Sequence, residues 1–546
     1  MSAQEYDVVI VGSGAGGGTM AYALSKHKLR VLVLEAGPVF NPFTDFKLHK
    51  TSWEAQYFPH KPTSEGRYIY APMQALDSKW DDLLSWNSII GRMNRKGQRE
   101  AYKYHHVRGV GGSTLTFTGE SHRMHPEAMA MQSRFGVAAD WPMDYAALEP
   151  FYCEAERVIG VAGPEAADVR WRSEPYPQPA HPLSYASQHT KTAAESLGLS
   201  WEPNARAALS KSMDGRPSCN YCGNCTRGCP RTDKGSVDVT FMRKATASGF
   251  CTVRTGVTVT RIESTKSDTV RGVHVVNAEG AAEFIETAQL VVSCGAVETP
   301  RLLLVSDGLA NESGLVGRNF METLSWSCSG LSETPLGSYR GLPADSICWD
   351  FNAPDAVDGI IGGCRFSEGV HEAGLNGPQS YANRVIGGWG KAHKEAMREA
   401  FGNVLTIAAI GESLPNAGSY VDLDPEAVDA NGIPLARIHS ELEESELKRL
   451  QFMANKSREI VQAAGVKKLV EEYGSYDYFS STHVFGTCLM GTDASTSVVD
   501  SYGRSHRYKN LTLMDASIFP SSGGGESPSL TIEALALRSA QQFVRG

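Results

Sequence analysis

Cysteine is scarce in this 546-residue chain, eleven in all, too few for a disulfide-stapled scaffold. No uncharged apolar run approaches the ~18 residues of a membrane helix; stretches such as Leu405–Gly411 fall far short, so no membrane insertion is expected. Positive charge is not in excess either. Lys and Arg number 52 against 61 Asp and Glu, a formal net charge of −9. Scattered as they are, they offer no basic face for nucleic acid. No internal repeat and no low-complexity tract appears, which excludes solenoids and linker arrays. Ahead of the first apolar segment, Met1–Tyr6 is short and polar, without basic, apolar or cleavage regions of an export signal. The expectation is a cytoplasmic protein, or a periplasmic one only by co-export with a signal-bearing partner.

What is present points to a layered α/β chain. The length accommodates two to four domains of ~100–200 residues. Glycine, at 54 residues, is above the ~7% of ordinary globular chains, so tight turns and close approach of backbone to a ligand are expected. Asp7–Val11 reads as a buried strand, Ala15–Lys26 has helical spacing and Arg30–Glu35 is a second apolar strand, a βαβ opening. The stretch from Pro42 to about Tyr104 is irregular. Prolines at Pro175, Pro177, Pro179 and Pro182 mark an extended linker before a helix near Gln188–Leu197. Strands are expected at Cys251–Thr260, Thr269–Asn277 and Phe284–Ser293, and an antiparallel sheet between about Ser325 and Ala436. A charged helix over Glu441–Ala464 follows, then a strand, Gly-rich loop and helix over Leu511–Asp515 and Ser527–Gln542. Both ends are α/β and the middle differs, as when one domain interrupts another.

Gly12-Ser13-Gly14-Ala15-Gly16-Gly17 fits G-x-G-x-x-G, with a strand before it, a helix after it and Glu35 closing the next strand. Gly12 permits the tight turn, Gly14 lets backbone amides reach a pyrophosphate, and Gly17 allows close helix–strand packing. Glu35 would accept hydrogen bonds from ribose hydroxyls. The motif specifies a dinucleotide without saying which.

Cys219-x2-Cys222-x2-Cys225-x3-Cys229-Pro230 has the spacing of a bacterial ferredoxin loop, where soft thiolates wrap one cluster. One [4Fe-4S] cluster held by all four cysteines and one [3Fe-4S] held by three are both open. Zinc, or a reduced loop without metal, are the other readings of the spacing. The remaining cysteines, Cys153, Cys251, Cys294, Cys328, Cys348, Cys364 and Cys488, lack ligand spacing and are expected to be buried thiols.

Four further segments follow in order: Arg108-Gly109-Val110-Gly111-Gly112-Ser113-Thr114, Ser293–Arg301 (SCGAVETPR), His483–Gly491 (HVFGTCLMG) and Leu513–Pro520 (LMDASIFP). With the N-terminal fingerprint they resemble the glucose–methanol–choline (GMC) oxidoreductases, leaving roughly Ser325–Ser480 as the divergent region. The resemblance implies an α/β fold with a discontinuous Rossmann-like FAD-binding domain at 1–45, 100–165, 240–325 and 480–546. It implies a substrate-binding domain with an antiparallel sheet at 46–99 and 326–479, and a cysteine-rich cluster insertion at 200–239. FAD is the implied cofactor, and Gly111, Gly112, Ser113, Ala296, Asp515 and Pro528 lie in motifs expected to hold it.

The resemblance also implies that His483 faces the flavin and takes the substrate hydroxyl proton, work that suits an imidazole. His105, His106, His122, His125 and His506 are read as surface or hydrogen-bonded structural residues. Ser527 stands at the partner position where many relatives carry Asn or His. Ser527 is also a good N-cap and Pro528 a good first residue for the last helix; the N-terminus of that helix, near the flavin, would stabilise negative charge. Trp349 and Trp389, which could stack on sugar rings, are assigned to core packing. The cysteine loop makes the chain similar to cluster-bearing FAD sugar and gluconate dehydrogenase catalytic subunits. The expected function is FAD-dependent oxidation of an alcohol or sugar, electrons leaving through the cluster to a cytochrome, quinone or small partner subunit. The alternatives are an O2-using oxidase with a structural cysteine loop and a redox-neutral lyase on the same fold.

Overall fold

The computed structural model describes residues 6–46, 68–165 and 169–545, the Lys103 side chain apart. Part of the irregular stretch after Pro42 and of the expected segment 46–99 thus lies outside the described residues.

Val8–Val11 and Val31–Glu35 are buried at every position and pair in parallel. Runs buried on both faces need neighbours on both edges and cover above and below. The neighbours come from far along the chain: the parallel sheet runs Cys251–Thr255, Val31–Glu35, Val8–Val11, Leu290–Val292, Leu511–Leu513. The helix Ala15–Lys26 packs against the last helix, Ser529–Arg545, in the same core. A second, antiparallel sheet of eight strands centres on Lys468–Gly474, Leu324–Leu331, Val404–Gly411 and Cys364–Glu368. The helix Glu444–Ala463 covers it with Leu447, Leu450, Met453 and Ile460. A capping box between Glu443 and Glu446 sets that helix's start, three residues later than the charge pattern suggests.

Several boundaries differ from expectation for local reasons. Gly256, at φ +66°, divides Cys251–Thr260 into Cys251–Thr255 of the parallel sheet and Thr258–Ser264 of a separate three-stranded one. Phe284–Ser293 divides the same way, into Ala282–Glu286 and Leu290–Val292. A run of apolar residues does not reveal where it changes sheets. The helix expected near Gln188 begins at Tyr185, because the Ser184 side chain accepts from the Ser187 amide at its N-cap. Trp389 is not in the core: it is 89% exposed on a glycine-flanked turn. Trp349 is half-buried, edge-on to His122.

Candidate active site

Three loops meet at the carboxyl ends of Val8–Val11 and Val31–Glu35. In the first, a Cβ on Gly12 (φ +91°) would strike the Ser293 carbonyl, and one on Gly17 the Gly12 carbonyl. Gly16, which the motif leaves free, faces the Met514 carbonyl as closely. Gly14 caps Ala15–Lys26 with no side-chain partner, so the first-turn amides stay available to an anion. Gly112 (φ +56°) lies opposite, its would-be Cβ 2.8 Å from the Gly14 Cα. A side chain there would clash with Gly14 and force the two loops apart. The uncapped first-turn amides of Ala15–Lys26 suit a pyrophosphate.

Glu35 Oε2 accepts from the Ser13 amide (3.1 Å) and hydroxyl (2.6 Å), and Oε1 from the Gly37 amide (2.8 Å). A carboxylate has roughly four acceptor sites, which leaves room for a ribose hydroxyl. Ser113 is exposed, its Oγ accepting from the Val107 amide at 3.3 Å, and the Gly111 amide donates to the Ser13 carbonyl. Ala296 is buried in the first turn of Gly295–Val305. Asp515 holds that turn: Oδ2 accepts from the Gly295 amide (3.0 Å) and the Thr299 hydroxyl (2.6 Å), Oδ1 from the Ser517 amide (2.8 Å). Asp515 therefore clamps two of the motif segments together. Gly112→Ala is expected to weaken FAD binding at least tenfold, through a left-handed alanine (~1–2 kcal/mol) and a clash that shifts the Gly14 turn, seen as a lower 450 nm to 280 nm absorbance ratio with folding retained.

His483 is placed by its own backbone. Its carbonyl accepts from the Thr323 amide (3.0 Å), the Thr323 hydroxyl (3.2 Å) and the Ser481 hydroxyl (2.8 Å). The imidazole is half-buried and makes no hydrogen bond among the described residues. Burial pushes its pKa down to about 4, Glu120 opposing and Arg365 adding, so the ring is neutral at pH 7.

Sequence reasoning missed the buried charges whose field reaches it, Glu120 and Arg365, and the groups bonded to them. Ser527, expected to cap the last helix, instead donates its hydroxyl to Glu120 Oε2 at 3.3 Å. The helix starts at Ser529, and the Pro528 carbonyl accepts from Ile532; Pro528 thus precedes the helix instead of opening it. The Ser527 amide donates to His122 Nδ1 (3.1 Å). An amide can only donate, so Nδ1 is the unprotonated nitrogen and Nε2–H donates to Asn204 Oδ1 at 2.8 Å. Burial holds His122 neutral, its pKa down to about 3. Asn204 Nδ2 donates to Glu120 Oε1 (2.8 Å), closing a ring of hydrogen bonds. Arg365 donates to Glu120 Oε2 (2.8 Å), the Gly525 carbonyl and the Ser367 hydroxyl. Burial alone would raise the Glu120 carboxyl; the Arg365 and Arg206 guanidiniums and the Asn204 amide hold it well below the usual range. The structural reading of His122 is right in kind, but its hydrogen bond positions Ser527. The one signal for Glu120 was its closeness to the glycine turn. Arg365 sits in Cys-Arg-Phe-Ser-Glu, which reads as a half-exposed strand, yet Cys364–Glu368 is buried at every position.

The cysteine loop lies behind the cofactor turn. Lys234, fully buried, donates to the carbonyls of Leu115 (3.0 Å), Phe117 (2.9 Å) and Cys225 (2.8 Å). Main-chain amides of Tyr221, of Asn224, and of Arg231 and Lys234 face the sulfurs of Cys219, Cys222 and Cys229 respectively. Such N–H donors suit cluster thiolates. The four thiols are free, and burial raises the pKa of each, Cys229 to about 11 with Asp233 adding. Among the described residues, no three His, Cys, Asp or Glu side chains form a group able to hold a metal ion. The expected metal site is therefore not preformed, for a cluster or for zinc, although thiols are soft donors of the kind a cluster takes. Of the other seven cysteines, all are free and all but the half-buried Cys294 are buried.

A dinucleotide cradle with a neutral, unbonded imidazole in an adjoining motif segment places the molecule in the class of flavin-dependent oxidoreductases. Residues 107–324 and 415–536 match family models described as GMC oxidoreductase, and 10–63 match a model of an NAD(P)-binding Rossmann-like domain. The chain belongs to the GMC oxidoreductases, FAD-dependent enzymes acting on CH–OH groups. It is similar to 2-methyl-1,2-propanediol dehydrogenase of Mycolicibacterium austroafricanum (27% identical, covering 100% of this chain and 96% of that one). It is similar also to the fructose dehydrogenase large subunit of Gluconobacter japonicus (28%, 98% and 97%) and the gluconate 2-dehydrogenase flavoprotein of Pantoea cypripedii (26%, 98% and 93%). The solved structure of pyridoxine 4-oxidase from Mesorbium loti shares the fold, with a TM-score of 0.63 at 19% identity over 99% of this chain and 100% of that one. No helix among the described residues is long and apolar enough to cross a membrane.

Proposed function

We propose that the chain is a dehydrogenase that oxidises a primary or secondary alcohol group of a sugar, glycoside or other small hydroxyl compound, His483 taking the hydroxyl proton. The observation that carries this reading is the neutral His483 ring, free of hydrogen bonds within the described chain and held by three donors on its own carbonyl. Bound FAD, held by Gly12, Gly14, Gly112 and Glu35, supplies the two-electron acceptor for the carbinol hydride. The residues do the rest. His483 accepts the hydroxyl proton, and the nearby Glu120 charge stabilises the imidazolium that forms. Ser527 does not serve as a base, because its proton is committed to Glu120. Its lone pairs remain to accept a substrate O–H and orient it.

The proposal extends to electron exit: the Cys219–Cys229 loop holds a [4Fe-4S] or [3Fe-4S] cluster serving an external acceptor, a cytochrome, quinone or small partner subunit. The ferredoxin spacing, the amides aimed at three sulfurs and the Lys234 tie to the cofactor turn support it. A bound cluster would take electrons one at a time. Iron counted against FAD in anaerobically purified protein, with its EPR spectrum, tests this part. We expect about three to four irons per flavin; none would leave the loop structural, and peroxide matching turnover would then assign an oxidase. A flavin that no alcohol or sugar bleaches would sink the whole reading.

A further inference from the structure

Large apolar side chains left in water are ordinarily scattered singly; here three of them meet. Ile89 and Ile90, 41% and 55% exposed, form the tip of the hairpin that joins Trp86–Asn87 to Gly91–Arg92. Trp389, at 89%, is the most exposed large apolar side chain among the described residues. The two tips adjoin: a Cβ on Gly387 would lie 3.7 Å from Ile89 Cγ1. Neither tip is loose. Asn87 Nδ2 donates to the Arg384 carbonyl (3.0 Å) and the Ser88 amide to the Val470 carbonyl (2.7 Å), which fixes the hairpin. The Ile386 amide donates to the Tyr381 carbonyl (2.8 Å) and His393 Nδ1 to the Gly387 carbonyl (3.2 Å), which fixes the turn. Gly388 (φ +93°) and Gly390 (φ +74°) flank the indole, and nothing lies within 4 Å of where their Cβ atoms would be.

The charges beside these tips are mostly positive, in a chain of net charge −9. Arg95 donates to the carbonyls of Ile90 (3.2 Å) and Arg92 (3.4 Å), and Arg92 to that of Leu84 (2.8 Å). Both guanidiniums thus bond carbonyls, and neither pairs with a carboxylate among the described residues. The helix Gly390–Ala400 buries Ala400 and packs Met397 on the core, and carries Lys391, Lys394 and Arg398 along its exposed side. Two acids share that side: Glu395, 3.7 Å from Lys391, and Glu399. Lys394 and Arg398 have no carboxylate partner among the described residues. Anchored apolar tips that project into open space, ringed by unpaired cations, suit a soft interface that closes round them. An indole settles at the headgroup level of a bilayer, and Lys and Arg add an attraction to anionic lipid that salt screens.

We propose that the Ile89–Ile90 and Trp389 tips dock the protein peripherally on an anionic phospholipid surface, without spanning it. The inference is independent of the alcohol-oxidising reading. Its test is sedimentation of the FAD-loaded protein with vesicles of phosphatidylcholine alone and with about one quarter phosphatidylglycerol. At about 0.1 M NaCl the anionic vesicles are expected to bind at least tenfold more tightly than the neutral ones, and about 0.5 M NaCl should remove most of that difference. Trp389→Ser and Ile90→Ser should each weaken binding at least threefold. The pair Lys391→Glu with Lys394→Glu should abolish the preference for anionic lipid. Val428→Ser, an exposed apolar residue of another sheet, should change nothing. Flavin content and thermal unfolding close to wild type would show that the variants fold. No vesicle binding, equal binding to both compositions, or binding that Trp389→Ser leaves untouched overturns the inference. A dimer in solution that Trp389→Ser dissociates, without vesicle binding, would assign the face to a second copy of the chain and overturn it too.

Discussion

Replacing His483 by alanine is expected to lower kcat by about 10³-fold, the middle of the range for losing a general base, with FAD still bound. The variant keeps the backbone carbonyl that Thr323 and Ser481 hold, so the strand Val484–Phe485 has no reason to move. The pH profile separates a base from a spacer. With a pKa pushed down to about 4, the imidazole is already deprotonated at neutral pH. The kcat/KM of the wild type should therefore be flat through pH 7 and fall only as the pH drops toward His483's value. His483→Ala should lose that acid limb. A variant that keeps the limb, or most of the rate, would take His483 out of the chemistry.

The same histidines link acidity to stability. His483 and His371 at about 4 and His122 at about 3 all lie below the ordinary 6.5, with burial as the main cause. The unfolded chain binds these protons more readily than the folded one. Their contribution is complete above pH 6.5 and is lost progressively as the pH falls toward 3. Two buried carboxyls act in the opposite sense. Glu368 and Glu412 are raised by burial to about 8 and about 7, so they favour the folded state at low pH and lose that effect as the pH rises from 4.5 toward 8. Thermal unfolding followed across this range should show a maximum on the acid side of neutrality.

Arg365→Leu is expected to destabilise the fold by about 3–5 kcal/mol, the cost of stranding a buried charge. Arg365 and Glu120 side chains are 1% and 4% exposed and bonded at 2.8 Å. Without the guanidinium, Glu120 keeps only Asn204 and Ser527 as donors. Activity should fall as well, because Ser527 would lose its fixed acceptor and His483 would face an unbalanced carboxylate. Adding Glu120→Gln should recover a large part of the stability, since a neutral amide can remain in the hydrogen-bonded ring; denaturant melts of the two singles and the double measure the coupling. An Arg365→Leu protein that melts like the wild type would show that the pair contributes nothing net.

The His483 and Arg365 predictions differ in where their residues became visible. His483 stood out because its segment keeps an ordered motif, and the glycines of the cradle because each must admit a close backbone neighbour. Glu120 and Arg365 had no such mark. An acid eight residues past a glycine turn and an arginine in a mixed strand carry no spacing that sets them apart. Ser527 was named for its position, but its partner was misjudged: a Ser-Pro pair is a good helix start, and here a buried carboxylate competes successfully for the hydroxyl. Trp389 shows the same limit in reverse, an apolar residue that no described neighbour covers.

Local chemistry written along the chain thus determined the βαβ opening, the dinucleotide turn, the family motifs and the crowding of four cysteines, because each depends on residues close together in sequence. Tertiary structure alone decided that Cys251–Thr255, Leu290–Val292 and Leu511–Leu513 join one sheet, and that residues 120, 122, 204, 365 and 527 close one hydrogen-bonded cluster. The reason is physical. A buried charge or polar group must find its partners wherever packing brings them, and no spacing rule connects groups that meet only after the chain has folded.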